Sequence, residues 1–240
     1  MKIHSFWIIG LCALLLSSCS SYKKVPYLQD AEAVSSLQKE LPMYDAKIMP
    51  KDLLTITVNT TDPVAAAPFN LTVQSSAAGS ASVGGSSNLQ QYLVNNDGTI
   101  EFPVLGSLQV SGLTKSEAEN LIRQKLGAYL KETPIVTVRM TNYKISVLGE
   151  VAHPGMFTIN NEKVNIFEAL ALAGDLTIWG MRDNVKLIRE DAEGKREIIL
   201  LDLNDANIIT SPYYYLQQND ILYVTPNKTK AKNSDIGQST

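Results

Sequence analysis

Apolar residues recur along this chain with two different periods, and the places where the period changes mark out its elements. Residues 53–58 alternate, with Leu54, Ile56 and Val58 on one face, as a half-buried strand requires. A turn containing Met49, Pro50, Lys51 and Asp52 leads into it. Tyr92-Leu93-Val94 and Thr99-Ile100-Glu101-Phe102 then flank Asn95-Asn96-Asp97-Gly98. Asp-Gly readily adopts the positive φ of a tight turn, so this stretch predicts a β-hairpin. Pro103 and Gly106 break the chain, and Thr114 with Glu117 forms a capping box ahead of Ala118, Leu121, Ile122 and Leu126 at helical spacing. Beyond Pro134 the alternation returns with Val136, Val138 and Met140, then Ile145 and Val147. Strand, hairpin, helix and strand describe a small α+β unit.

The second half repeats this economy. Gly149 to Gly155 reads as a turn before Met156-Phe157-Thr158-Ile159, with Pro154-Gly155 fitting the centre of a type II turn. Asn165 caps a helix with Glu168 three residues on, its buried face is Ile166, Ala169, Leu170 and Ala173, and Gly174 ends it. Residues 185–189 and 197–201 pair around 192–195. Residues 216–224 then echo 48–56, each a turn whose Asp, Asp220 or Asp52, enters a strand. We read both as one solution used twice, a tight turn opening an edge strand; an ion site is the alternative.

The ends carry different signals. Lys2, an apolar run from Phe6 to Leu16, and the small Ser17 and Ser18 make a secretory signal peptide, too short for a spanning helix. Leu16-Ser17-Ser18-Cys19 resembles the lipobox of bacterial lipoproteins, which implies removal of residues 1–18 and acylation of Cys19. Several chains on one cysteine anchor stably, since each buried methylene contributes about 0.8 kcal/mol. A plain signal peptide with an incidental cysteine is the alternative. Cys12 leaves with the leader, so no internal disulfide is possible. Ser20, not Asp, follows Cys19, which favours outer-membrane placement. Residues 19–41 read as a lipidated tether with a short helix within 31–41, and residues 62–91, rich in Ala, Ser and Gly, as a mobile insertion that a partner or ligand could order. Residues 227–240 read as a polar tail without an amphipathic or apolar helix.

Composition narrows the chemistry. The 240 residues suffice for two small domains, and 45% hydrophobic with 19% charged residues is a globular mixture. A net charge of −3 offers no positive field for nucleic acid. His153 is the only histidine left after leader removal, so a histidine metal cluster, a Ser-His-Asp triad and a Cys-His pair all lack members. Carboxylates are numerous enough for a glycosidase, but they sit at turns and caps, and no GxxxxGK[ST] loop is present. We therefore expect no enzyme, no catalytic residues, no metal and no cofactor. Tyr213, Tyr214 and Tyr215 could stack on sugar rings, or pack against a strand or subunit.

Taken in order, these pieces resemble the outer-membrane polysaccharide export lipoproteins, a polysaccharide export domain followed by a soluble-ligand-binding β-grasp (SLBB) domain. IMPKDLLTITV resembles the family's opening turn and strand, YLVNNDGTIEFPVLGSLQVSGLTKSEAENLI its Asp-Gly hairpin and following helix, and GEVAHPGMFTI with NIFEALALAGD the start of the SLBB module. The resemblance places the first domain at 42–142 and the second, β-grasp-like, at 143–226, an α+β architecture throughout. Its structural turn residues are Pro50, Asp52, Asp97, Gly98, Gly149, Pro154, Gly155, Gly174 and Asp220. Lys51 and Asn219 stand where the family commonly has Gly, and Asp175 where a second Gly often follows Gly174, which puts turn geometry at stake. The resemblance implies a ring of identical subunits, commonly eight, conducting a capsular or exopolysaccharide received from an inner-membrane copolymerase with tyrosine kinase. Family members that make their own pore use a C-terminal helix that residues 227–240 do not supply, so the chain depends on its lipid, a partner or further sequence. The alternative from another class is a monomeric periplasmic glycan-binding lipoprotein with a concave, aromatic-lined pocket.

Overall fold

The computed structural model describes residues 25–32, 44–74, 87–191 and 193–236. Cys19, most of the helix expected within 31–41, and residues 75–86 of the expected insertion lie outside the described residues.

The first core forms around β1 (Leu53–Asn59), which buries Leu54, Ile56 and Val58. After it come a short helix α1 (Pro63–Ala66), capped by the Asp62 side chain, and a 3-10 turn at Ala67–Phe69. Then follow β2 (Thr72–Gln74), β3 (Ser87–Leu89), β4 (Gln91–Leu93), β5 (Thr99–Phe102) and β6 (Gly106–Gln109). Helix α2 (Lys115–Leu126) and β7 (Ile135–Met140) complete the unit. The main sheet runs β4-β1-β7, while β2-β3 and β5-β6 are two-stranded. Thr114 and Glu117 form their capping box, and α2 buries Ala118, Ile122 and Leu126, with Leu121 half-buried.

Three expectations are corrected here. Strand β1 is interior, flanked by β4 and β7, not an edge. The region 62–91 is built at both ends rather than loose: Phe69 is buried in the core, and the Asn70 side chain accepts from the Val58 amide at 2.9 Å and donates to its carbonyl at 2.7 Å. Two large or polar anchors hold what the small residues could not. The Asp97-Gly98 turn does form, with the Asn95 amide donating to Thr99 O at 2.8 Å and Gly98 at φ 81°, but its flanks do not pair as a hairpin. The amide of Val94 is committed to Asp52 O beside β1, and the Gly98 carbonyl takes the amides of Val110 and Ser111, which draws β5 onto β6. The hairpin therefore turns at 103–105, with Val104 at φ 66°.

The second core lies under β8 (Lys144–Gly149), β9 (Gly155–Thr158), β10 (Gly180–Glu190), β11 (Arg196–Leu201) and β12 (Ile221–Pro226), ordered β11-β10-β12-β8-β9. Only β12 and β8 run parallel. Helix α3 (Ile166–Leu172), with the Asn165/Glu168 capping box, buries Ile166, Ala169 and Leu170 against the sheet. Strand β12 is also interior, so the edge reading fails for both Asp turns. Pro154-Gly155 is not a type II turn: Gly155 has no positive φ and already belongs to β9. The left-handed residue is Gly149, at φ 88°, where a Cβ would lie 2.1 Å from the Val224 carbonyl oxygen. The polar tail opens as a helix, α4 (Lys228–Ile236), started by the Asn227 side chain accepting from the Lys230 amide. Among the described residues no helix is long and apolar enough to cross a membrane, which says nothing of strands.

Candidate functional site: the seam between the two cores

The two Asp turns share one hydrogen-bond pattern. Asp52 accepts the Met49 amide through Oδ2 at 2.8 Å while its own amide donates to Met49 O at 3.1 Å. Asp220 accepts the Gln217 amide at 2.6 Å while its own amide donates to Gln217 O at 3.1 Å. The residue before each Asp is left-handed, Lys51 at φ 72° and Asn219 at φ 65°, and Asp175 sits at φ 70°. At all three positions the turn is kept without the glycine that would adopt it freely. A non-glycine residue gives up roughly 1–2 kcal/mol there.

Their surroundings differ. The guanidinium of Arg189, on β10, reaches Asp220 through Nε at 3.1 Å and Nη2 at 2.7 Å, and Nη2 also donates to Tyr215 O at 3.1 Å. Burial pushes the Asp220 carboxyl up, and Arg189 and the Gln217 amide pull it back. Asp52 is equally buried, at 1% exposure, but its Oδ1 has no hydrogen-bond partner. Burial lifts its carboxyl to about 6, against only the pull of the Met49 amide.

A polar bridge ties the turns together across the two cores. The Asn142 side chain accepts the Leu53 amide at 2.9 Å and donates to Lys51 O at 3.2 Å. The Asn142 carbonyl accepts from Gln218 Nε2 at 2.8 Å, and Gln218 Oε1 accepts the Lys144 amide at 2.7 Å. The hydroxyls of Tyr143 and Tyr44 both donate to Leu216 O, at 2.6 and 3.3 Å. Burial raises both phenols, so they stay protonated donors. Lys115 and Glu162 form an ion pair from one core to the other. A hollow of about 780 Å³ lies where Met49, Pro50 and Lys51 face Gln218, Asn219 and the tip of the β10-β11 hairpin.

The tyrosine run is spent on internal partners. Tyr215 stacks on Tyr44 at 4.7 Å, Tyr214 sits edge-on to Tyr215 at 5.1 Å and near Phe167 at 6.3 Å, and Arg189 lies over the Tyr213 ring. The remaining turn residues are not gathered at the seam. Asp97 holds its own turn, its carboxyl kept below the usual range by hydrogen bonds from the Thr99 hydroxyl and amide. Gly149, Pro154 and Gly174 serve the far end, where the Ala152 and His153 amides donate to Asp175 O and Ala173 O. Among the described residues no group of three or more His, Cys, Asp or Glu could hold a metal.

Sequence reasoning missed Arg189, Asn142 and Gln218. Arg189 carried a signal: it continues the inward period of Val185 and Leu187, so an arginine on a core face demanded a buried acid. It also missed that the expected tether docks. The Leu28 and Gln29 amides donate to Leu203 O and Asn204 O at 3.0 and 2.5 Å, and the Ala206 amide donates to Gln29 O. Tyr27 packs edge-on against Phe167, lies under Arg182 and donates to Asp175 Oδ1 at 2.5 Å.

Comparison with known proteins agrees with this two-core arrangement. The family model described as polysaccharide biosynthesis/export protein matches residues 41–141, and that of the SLBB domain matches 143–224. The chain is 34% identical over 113 residues to a protein of Ralstonia nicotianae named EPS I polysaccharide export outer membrane protein EpsA, covering 45% of this chain and 29% of that one. It is 32% identical over 149 residues to the protein of the same name from Ralstonia solanacearum, covering 61% and 39%. The chain thus aligns with well under half the length of either relative. The chain thus carries a polysaccharide biosynthesis/export domain followed by an SLBB domain.

Proposed function

We propose that this protein is an outer-membrane lipoprotein of a capsular or exopolysaccharide export channel, its copies closing into a periplasmic ring that conducts the polymer. The observation that carries this reading is the export domain joined to the SLBB domain through a polar bridge. In this reading Cys19 is the acylated residue, and the subunits contact their neighbours head-to-tail, as closed cyclic rings require. An inner-membrane copolymerase with tyrosine kinase hands over the chain, and the protein supplies a sized conduit rather than chemistry. The half-buried, mutually stacked Tyr213, Tyr214 and Tyr215 leave the monomeric glycan-binding alternative without the exposed aromatic platform it needs.

The mass of the acylated protein, extracted from membranes in mild detergent and measured by light scattering with the detergent subtracted, tests the ring. A closed assembly of many subunits is expected. A monomer stable across concentration would overturn it.

A further inference from the structure

We propose that a second cleft between the two cores, walled by the end of β7 and the segment that follows β9, is a subsite for one acidic sugar residue of the uronic-acid class. The proposal rests on the reading of the protein as part of a polysaccharide conduit, and it adds a contact point and a chemical preference which that reading does not contain.

The cleft shares no residue with the hollow at the Asp turns and encloses about 350 Å³, the scale of a small-molecule site. Its walls come from both domains: Asp45 and Ile48 ahead of the first turn, Val138 and Arg139 on β7, and Tyr143, Asn160 and Asn161 of the SLBB domain. The Lys115-Glu162 ion pair lines it too and ties one wall to the other. Ile48, Val138 and Tyr143 are buried, so they give the cleft an apolar floor, whereas Asp45, Arg139, Asn160 and Asn161 are exposed. Apolar cover ringed by hydrogen-bonding side chains suits a pyranose, whose C–H faces lose water while its hydroxyls keep partners. The rim side chains are also uncommitted. At the seam, the carboxamides of Asn142 and Gln218 are spent on backbone groups. Among the described residues, the side chains of Asp45, Arg139, Asn160 and Asn161 have no hydrogen-bond or ion-pair partner. Two carboxamides offer donors and acceptors to hydroxyls, the Asp45 carboxylate accepts from them, and the Arg139 guanidinium is a planar fork that matches a carboxylate. Glu162 takes the charge of Lys115, which leaves Arg139 to select an anionic sugar over a neutral one. Tyr143 is too buried to present a ring face, so the contact is weak, with a dissociation constant on the order of 1 mM. A surface that a moving polymer must leave requires such weakness.

Saturation-transfer NMR on the full protein in mild detergent tests this, with methyl β-D-glucuronoside and methyl β-D-glucoside as probes. The two sugars differ only in a carboxylate that replaces CH₂OH. We expect transfer to both, with the glucuronoside bound about fivefold more tightly, the upper end of what an exposed ion pair contributes. Arg139→Gln should level the two sugars, and the double change Asn160→Ala with Asn161→Ala should weaken both about tenfold. Arg196→Gln, at the other hollow, should alter neither. All these positions are exposed, and an unchanged thermal midpoint shows that each variant is folded. Equal affinity of the parent for the two sugars, a preference that survives Arg139→Gln, or displacement of the glucuronoside by an equal concentration of acetate would overturn the subsite. Light scattering on the same sample separates the two readings. A closed ring without saturation transfer overturns the subsite and leaves the conduit standing; a monomer with the expected preference upholds the subsite and removes the conduit.

Discussion

Replacing Asp52 by Asn should stabilise the protein at neutral pH, an unusual sign for a change at a buried, hydrogen-bonded residue. Asp52 is 1% exposed, its Oδ2 accepts the Met49 amide, and its Oδ1 has no partner. With the carboxyl lifted from 3.8 to about 6, the folded state holds the proton more tightly than the unfolded state does. Its contribution is therefore complete below about pH 3.8 and is lost as pH rises through 6. At about 1.36 kcal/mol per pH unit, the loss across that window is up to about 3 kcal/mol. Asn keeps the acceptor for the Met49 amide and cannot ionise, but it puts an unpartnered NH₂ where Oδ1 was, which returns about 1 kcal/mol. The net expectation is a gain of about 1–2 kcal/mol at pH 7.5 that vanishes near pH 4.5. The twin substitution has the opposite sign: Asp220→Asn strands the buried Arg189 guanidinium and should cost about 3–5 kcal/mol. Urea unfolding of the parent and the two variants at both pH values, followed by far-UV circular dichroism, makes the comparison. An Asp52→Asn variant less stable than the parent at pH 7.5, or an unchanged pH dependence, would refute the argument.

Three other changes follow from the backbone and the docked segment. Lys51→Gly should raise stability by about 0.5–1 kcal/mol in the same urea assay, because release of a left-handed lysine outweighs the added freedom of the unfolded chain. Gly149→Ala should cost more than about 2 kcal/mol, since a Cβ at φ 88° would meet the Val224 carbonyl oxygen at 2.1 Å; an unchanged denaturation midpoint would contradict that geometry. Tyr27→Ala should free the docked segment, seen as faster hydrogen exchange at Leu28 and Gln29 with the β10 and β12 amides still protected.

Local signals were legible wherever one residue decides one geometry. The Thr114/Glu117 and Asn165/Glu168 boxes, the strand faces of β1 and β8, and the left-handed Gly174 all follow from chemistry within four residues. Pairing was not legible, because it is settled between distant segments. The Asp97-Gly98 turn forms as its residues dictate, yet the flanking strands separate because Val94 is claimed by Asp52 and Gly98 by Val110 and Ser111. The two Asp turns were read as strand openings, which they are, but an Asp before a strand says nothing about how many neighbours that strand will have. The order of the two domains was readable because it is linear; the Asn142-Gln218 bridge was not, because it joins residues 76 apart through side chains that any loop could carry.

The repeated turn explains how the two domains are held to each other. Asn142, between β7 and β8, serves Leu53 and Lys51 at one turn and Gln218 at the other. Opening the seam would exchange several of these part-buried bonds for bonds to water at once, at a net cost of about 0.5–1.5 kcal/mol each. A subunit that flexed at this seam could not keep constant contacts around the ring proposed above, because a small rotation at each copy accumulates over the whole circuit. The bridge therefore serves the proposed conduit by fixing the angle between export and SLBB domains. The left-handed Lys51 and Asn219 are part of the same device, since they aim the carbonyl of residue 51 at Asn142 and the amide of Asn219 at Lys144 O, 2.9 Å away.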